Sequence, residues 1–385
     1  MQQQIDAQWL RDPQVQAVCT MLTAAGHQAL FVGGCVRNTL IGAPVSDIDI
    51  ATSALPAQVM ELAGAAGMKA VPTGIGHGTI TVVSGGQSFE VTTFRRDVET
   101  HGRRAVVAFS TNVTEDAARR DFTMNALYAT PAGKVLDPLG QGLEDLAARR
   151  VRFIGDAGER IREDFLRILR YFRFHAWYGD PVAGLDPQAL AAIADNLAGL
   201  ETLSRERVGQ EVLKLMAAPD PAPAAAAMQQ VGALAALLPG ADAHGLGPLV
   251  HLEAETGTGP EPIRRLAALG RIANAQALLR LSRRDAKRLS LLLELVENMA
   301  GLAEMAYRHG ADIARDAMLL RAALTGAPVP EGWRDAVAKG AEARFPVTAR
   351  DLAPLSGQAL GTRLKALEAR WIASGFLLTR AELLA

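Results

Sequence analysis

The sequence predicts an α+β protein: a head built on a small mixed sheet, followed by an all-helical neck, body and tail. Three observations predict it. Runs rich in β-branched and aromatic residues occur between residues 29 and 130. Those signals fade after about residue 140. From there almost to the end, Ala, Leu, Arg and Glu dominate, the composition of helices. The 385 residues are 49% hydrophobic and 21% charged, an ordinary globular composition with room for two or three domains.

Within the head, Ala29-Leu30-Phe31-Val32 is an apolar run ending in Gly33-Gly34. Residues 47–52 alternate polar and apolar, the period of a half-buried strand. Residues 78–83 and 89–94 read as two strands, and the glycine-containing stretch 84–88 between them predicts a hairpin. Residues 219–223 and 240–260 read as joints. The expected division is a catalytic head over 1–142, a helical neck and body over 143–260 and a helical tail over 261–385.

The net charge is −1, from 40 basic and 41 acidic side chains. Taken whole, that balance argues against a polyanion-binding protein. By segment it does not. Residues 1–94 are net −3, 95–173 net +3, 174–260 net −7 and 261–385 net +6. A partner meets the local field rather than the total. No run approaches the roughly 18 apolar residues of a membrane span. The N-terminus lacks the pattern of a signal peptide. Cys19 and Cys35 are the only cysteines, so no disulfide framework or disulfide-linked partner is expected. The expected compartment is the cytoplasm. The seven histidines form no H-x-x-x-H or His-Asp cluster, which leaves a metal hydrolase unsupported.

Gly33-Gly34 between a strand and a helix lets the backbone approach a phosphate. Asp47 and Asp49, two apart on a strand, place both carboxylates on one face. Two such groups repel unless a cation lies between them, and hard oxygen ligands suit Mg²⁺, whose shell is completed by phosphate and water. Either feature alone is common. Together they point to a metal-assisted reaction on a nucleotide.

The run Leu30-Phe31-Val32-Gly33-Gly34-Cys35-Val36-Arg37 followed by Asp47-Ile48-Asp49 resembles the first motif of polymerase-β-like nucleotidyltransferases. More narrowly, it resembles that of the bacterial tRNA CCA-adding enzyme and poly(A) polymerase family. Residues 89–95, Arg119-Arg120-Asp121 through Asn125, residues 137–146, Glu163-Asp164-Phe165-Leu166-Arg167, and Arg205-Glu206-Arg207 with Glu211 and Lys214 resemble its later motifs in order. The resemblance spans about residues 29–216. One departure stands out: Asn38 occupies the position where the family has Asp, which removes a charge beside Arg37.

The resemblance implies template-independent addition of the 3′-terminal CCA of tRNA from CTP and ATP, with pyrophosphate released by a two-metal mechanism using Mg²⁺. Asp47 and Asp49 are the expected metal ligands. Glu90, on a neighbouring strand, is either a third catalytic carboxylate or a strand-end charge paired to an arginine. Gly33, Gly34, Arg37, Arg119, Arg120, Asp121 and Asn125 are the expected nucleotide-binding residues; an arginine fork suits phosphate oxygens, and Asp121 can accept from a sugar hydroxyl.

Asp164 and Arg167 are expected on the polar side of one helix, whose apolar stripe is Ile161, Phe165, Ile168, Leu169 and Phe172. An acceptor beside a donor matches the amino-plus-ring-nitrogen edges of cytosine and adenine and opposes those of guanine and uracil. The plainer reading is a pair of helical salt bridges, Glu163–Arg167 and Arg160–Asp164.

Residues 95–110 read as a polar loop, which in the resembling family helps switch from C to A addition. The aromatic cluster Phe165, Tyr171, Phe172, Phe174, Trp177 and Tyr178 reads mostly as packing, with one ring available to stack on a base. Arg280, Arg283, Arg284, Lys287 and Arg288 are the densest basic stretch of the tail and the expected tRNA contacts. Poly(A) polymerase and A-only addition remain open alternatives. A non-catalytic tRNA-binding protein has no need of the carboxylate pair.

Overall fold

The computed structural model describes residues 3–101, 104–298 and 300–385, without the side chains of 97–107. Among the described residues nine strands form two sheets: β1 (Ala29–Val32), β2 (Asp49–Thr52), β3 (Lys69–Gly74), β4 (Thr79–Ser84), β5 (Gln87–Thr93), β6 (Arg95–His101), β7 (Arg104–Phe109), β8 (Tyr128–Ala129) and β9 (Val135–Leu136). Seven of them make one sheet in the order β3-β4-β5-β2-β1-β8-β9, and β6 pairs with β7. Within the larger sheet only β2 and β5 run parallel, so it is mixed, as expected.

The β4–β5 hairpin forms with Ser84 opposite Gln87. Its turn is Gly85-Gly86, both at positive φ (56° and 83°), the twist that two-residue hairpins require and that glycine adopts freely. β2 begins at Asp49, leaving Asp47 just outside it, and Ile50, Ala51 and Thr52 are all buried. The expected alternation therefore gives way to a strand covered on both faces. Residues 95–110, read as a loop, instead contain the β6–β7 hairpin, with Arg95 opposite Phe109 and His101 opposite Arg104. The β-prone run Ala105-Val106-Val107-Ala108 supplies the second strand. Gly102 and Arg103 of that stretch lie outside the described residues.

The chain divides into two compact units. The first comprises Met1–Leu215 with Pro223–Leu237 and contains the sheets. Its head packs Leu30, Val32, Ala51, Phe94, Ala126 and Tyr128 into one apolar cluster. Behind it, Tyr171 stacks on Phe153 at 5.4 Å, and Phe122 meets Phe174 at 4.9 Å. Most of the aromatic cluster is therefore core; Trp177 is 40% exposed, and its indole N–H donates to the Lys214 carbonyl.

The second unit, Met216–Ala222 with Leu238–Ala385, is helical. Residues 240–260, expected as a joint, contain the helix Leu246–Thr256, stopped by Gly257 at φ 69°. This unit buries a charge cluster. Glu253 accepts from the guanidiniums of Arg264 and Arg265, and Arg264 also donates to Asp316 at 2.8 Å. A separate apolar cluster gathers Val347, Leu352, Leu367, Trp371 and Leu383 near the C-terminus. Among the described residues, no helix is long and apolar enough to cross a membrane. Cys19 and Cys35 are free, buried thiols, and burial pushes them up to about 12 and about 11.

Candidate active site

Sheet register assembles the first part of the site. Phe31 on β1 pairs with Ile50 on β2, so the Gly33-Gly34 turn leaves the sheet at the edge where Asp49 enters. In the parallel β2–β5 pair Asp49 stands beside Glu90. Gly33 adopts φ 71° and ψ −120°, a backbone state closed to other residues without strain. A side chain there would come within 3.7 Å of the Arg120 guanidinium, and one at Gly34 within 3.9 Å of that of Arg37. The following helix, Gly34–Leu40, has seven residues, and the guanidiniums of Arg120 and Arg37 lie beside the turn.

Asp49 is pushed up to about 6, by burial first and then by Glu90 and Asp47, with Arg120 opposing. Asp47 is exposed and accepts from the Ser46 hydroxyl at 2.9 Å. Among the described residues, none of Asp47, Asp49 and Glu90 forms an ion pair. Nor, among the described residues, does any cluster of three or more His, Cys, Asp or Glu form a ready-made cage for an ion. Neighbouring, uncompensated carboxylates fit a divalent cation that takes its remaining ligands from substrate oxygens and water.

A pH signature follows. An Asp raised in the folded state adds stability at low pH, and that contribution is lost as pH rises through about 6. A cation held by the ionised form reverses the sign. The rise in Tm caused by a divalent ion is expected to be larger above about pH 7 than below about pH 5. An equal rise at both would remove Asp49 from the ligand set.

The arginines are held from beneath by Asp116, which is 1% exposed. It accepts from Arg119 Nε at 2.8 Å, Arg120 Nη2 at 3.1 Å and the Tyr128 hydroxyl at 2.7 Å. Burial raises this carboxyl, but Arg120 and Arg119 outweigh it and hold it low. Sequence reading missed Asp116. Its signal was its place three and four residues before the two arginines.

Asp121 has all four acceptor positions engaged. One oxygen takes the Phe122 and Asn125 N–H groups, both at 2.9 Å, and the other takes the fork of Arg170. Burial alone would raise Asp121; Arg170 and these donors bring it to about 2. Asn125 in turn accepts from Arg37. Arg37 is buried, lies 3.9 Å from the Tyr178 ring centroid and donates to its hydroxyl at 2.8 Å. Asn38 answers the question of the missing carboxylate: its side-chain oxygen accepts from Arg37 Nε at 3.1 Å and Nη2 at 2.8 Å. A neutral acceptor thus replaces the charge while keeping the grip. Arg170 and Tyr178 had no sequence signal beyond lying on the aromatic helix.

Residues 161–172, expected as one helix, form two. One helix, Ala157–Glu163, ends at extended Asp164 (φ −152°), and a second runs Leu166–Tyr178. Asp164 Oδ1 accepts from Leu166 N at 3.1 Å, a local bond that competes with helix continuation. Its other oxygen pairs with Arg207 at 2.6 Å, so the expected Arg160–Asp164 bridge is not made. Arg160 pairs with Glu163 at 2.7 Å instead, and Glu163–Arg167 forms as expected. Ile161, Ile168, Leu169 and Phe172 are buried, and Phe165 partly so.

In the second unit, Arg283, Arg284 and Lys287 are exposed on the helix Arg283–Glu297. Arg288 is turned inward, with its guanidinium on Asp316 and on Glu261. Arg280 takes a left-handed backbone conformation, φ 48°.

The arrangement is a mixed-sheet head followed in the chain by helices. Residues 29–152 match the Poly A polymerase head domain, and residues 184–244 match the probable RNA and SrmB- binding site of polymerase A. The chain is 41% identical over 216 residues to the human mitochondrial CCA tRNA nucleotidyltransferase 1, covering 54% of this chain and 50% of that one. It is 42% identical over 229 residues to the CCA-adding enzyme of Geobacillus thermodenitrificans, covering 59% and 54%. The chain thus spans about half the length of the curated relatives it matches. The Bacillus stearothermophilus CCA-adding enzyme solved with CTP aligns over 94% of this chain and 93% of its own, at TM-score 0.68 and 29% identity. The Thermotoga maritima CCA-adding enzyme solved with tRNA shares the fold at TM-score 0.71 and 18% identity, over 99% and 98%. Over residues 29–152 and 184–244 the chain is thus similar to the tRNA CCA-adding enzyme and poly(A) polymerase family.

Proposed function

We propose that this chain is a template-independent tRNA nucleotidyltransferase that builds or repairs the 3′-terminal CCA of tRNA from CTP and ATP, releasing pyrophosphate. One observation carries the reading. Asp164 and Arg167, an acceptor and a donor, are each held by a charged neighbour, Arg207 and Glu163, in the same compact unit as the unpaired carboxylates Asp47 and Asp49. The matches to enzymes named for CCA addition support it.

Asp47 and Asp49, with Glu90 beside them, would hold Mg²⁺, which when bound activates the attacking 3′-hydroxyl and stabilises the leaving oxygens. Arg119 and Arg120, fixed by Asp116, face the triphosphate over Gly33 and Gly34. Asp121, whose four acceptor positions are taken, is not free to accept from a sugar hydroxyl as expected; it would instead orient Asn125, held also by Arg37, toward the sugar. Asp164 and Arg167, each steadied by its charged neighbour, would meet the base edge with their remaining oxygen and N–H groups. Arg283, Arg284 and Lys287, flanked by Arg280 and Arg288, offer charge to tRNA phosphates. The division into a head over 1–142, neck and body over 143–260 and tail over 261–385 goes with these roles.

The test is extension with labelled CTP, ATP, GTP or UTP on tRNAs ending at the discriminator base, -C, -CC or -CCA, and on a poly(A) primer. C is expected on the first two tRNAs and A on the third, with none added to -CCA or poly(A). Sustained A addition to poly(A) would instead establish a poly(A) polymerase, a reading favoured by the polymerase A naming of both matched regions.

A further inference from the structure

Arg160 belongs to none of the groups assigned above. It is 9% exposed on the helix Ala157–Glu163. Its Nη2 donates to the backbone carbonyls of Arg119 and Arg120, the latter at 2.7 Å. Its Nη1 donates to the Glu163 carboxylate at 2.7 Å. Glu163 also holds Arg167, which donates to the Arg160 carbonyl at 2.8 Å and to the Arg119 carbonyl at 3.3 Å. A single guanidinium therefore ties the backbone carrying the phosphate-facing arginines to the carboxylate that aims the base-facing one. Its partner Glu163 ends the helix, one residue before Asp164 leaves helical geometry.

We infer that Arg160 is a positioning residue for nucleotide selection, fixing the distance between the Arg119–Arg120 backbone and the Asp164/Arg167 pair. The inference rests on the proposed function, since selection presupposes C and A addition. Selection by an acceptor–donor pair needs the base edge and the sugar-phosphate presented at one fixed spacing. A displacement of about 1 Å costs on the order of 100-fold in a positioned reaction. A wrong base then gains relative to a right one, because the right base no longer pairs fully. Lysine keeps the charge opposite Glu163 but lacks the planar fork that spans two carbonyls and a carboxylate.

The test compares Arg160→Lys and Arg160→Met with the parent, measuring kcat and KM for each of the four nucleotides on tRNA lacking CCA, together with Tm. The CTP-over-UTP ratio of kcat/KM is expected to fall about 10-fold or more in both variants, with the Tm of the lysine variant close to the parent's. Should the methionine variant fail to fold, the lysine variant decides. A purely structural strut would lower activity for all nucleotides equally; an unchanged ratio in an active parent background overturns the inference alone. A parent that adds neither C nor A overturns the proposed function, and this inference with it.

Discussion

Replacing Asp47 and Asp49 together by alanine is expected to lower nucleotide addition by about 10³-fold or more while the protein stays folded. The two carboxylates have no ion-pair partner among the described residues, so their removal strands no buried cation. Asp49 is held near 6 by burial and by its acidic neighbours, which makes its ionised form a cost to the fold at neutral pH. The double variant should therefore match or exceed the parent's Tm without metal, and lose the Tm increase that a divalent ion gives the parent. Activity within tenfold of the parent would remove these residues from the mechanism. A collapse in Tm would show them to be structural.

What sequence reading recovered was local. The Gly33-Gly34 turn between strand and helix and the β4–β5 hairpin each follow from residues within a few positions of one another, and the turn at Gly85-Gly86 needs nothing distant; Asp47, expected on one strand with Asp49, falls just before it. What it missed depends on residues far apart in the chain. Asp121 meets Arg170 across 49 positions, and Arg37 meets Asn125 across 88. The break at Asp164 is local in part, since its side chain accepts from Leu166 N. It is also tertiary: a side chain at Gly199 would fall 2.0 Å from the Phe165 ring, so only glycine there leaves that ring its space.

Charge shows the same limit. The tail's net +6 led to a basic patch that included Arg288. Arg288 lies one turn from Leu292 and flanks the buried face of its helix, a periodicity present in the sequence. Arg264 and Arg265 are also spent on buried acids, Glu253 among them, so part of the positive count never reaches the surface. Arg283, Arg284 and Lys287 are what remains exposed of the stretch from 283 to 288.

The central claim is that two side chains do the work of a nucleic-acid template. In that proposal Asp164 supplies the acceptor for the amino group that cytosine and adenine share. It is half-exposed and its ion pair with Arg207 is not deeply buried, so Asp164→Ala should fold. Asp47, Asp49 and the arginine cluster are untouched, so the variant should keep its metal response and still transfer nucleotides. Without the acceptor, a pyrimidine carrying oxygen in place of the amino group no longer meets like against like. The most direct measurement is kcat/KM for all four nucleotides on tRNA ending at the discriminator base, parent against Asp164→Ala. The account predicts that the parent takes CTP and rejects UTP, and that the variant loses about 10²-fold or more of that preference. An unchanged C-over-U preference in the variant would contradict it.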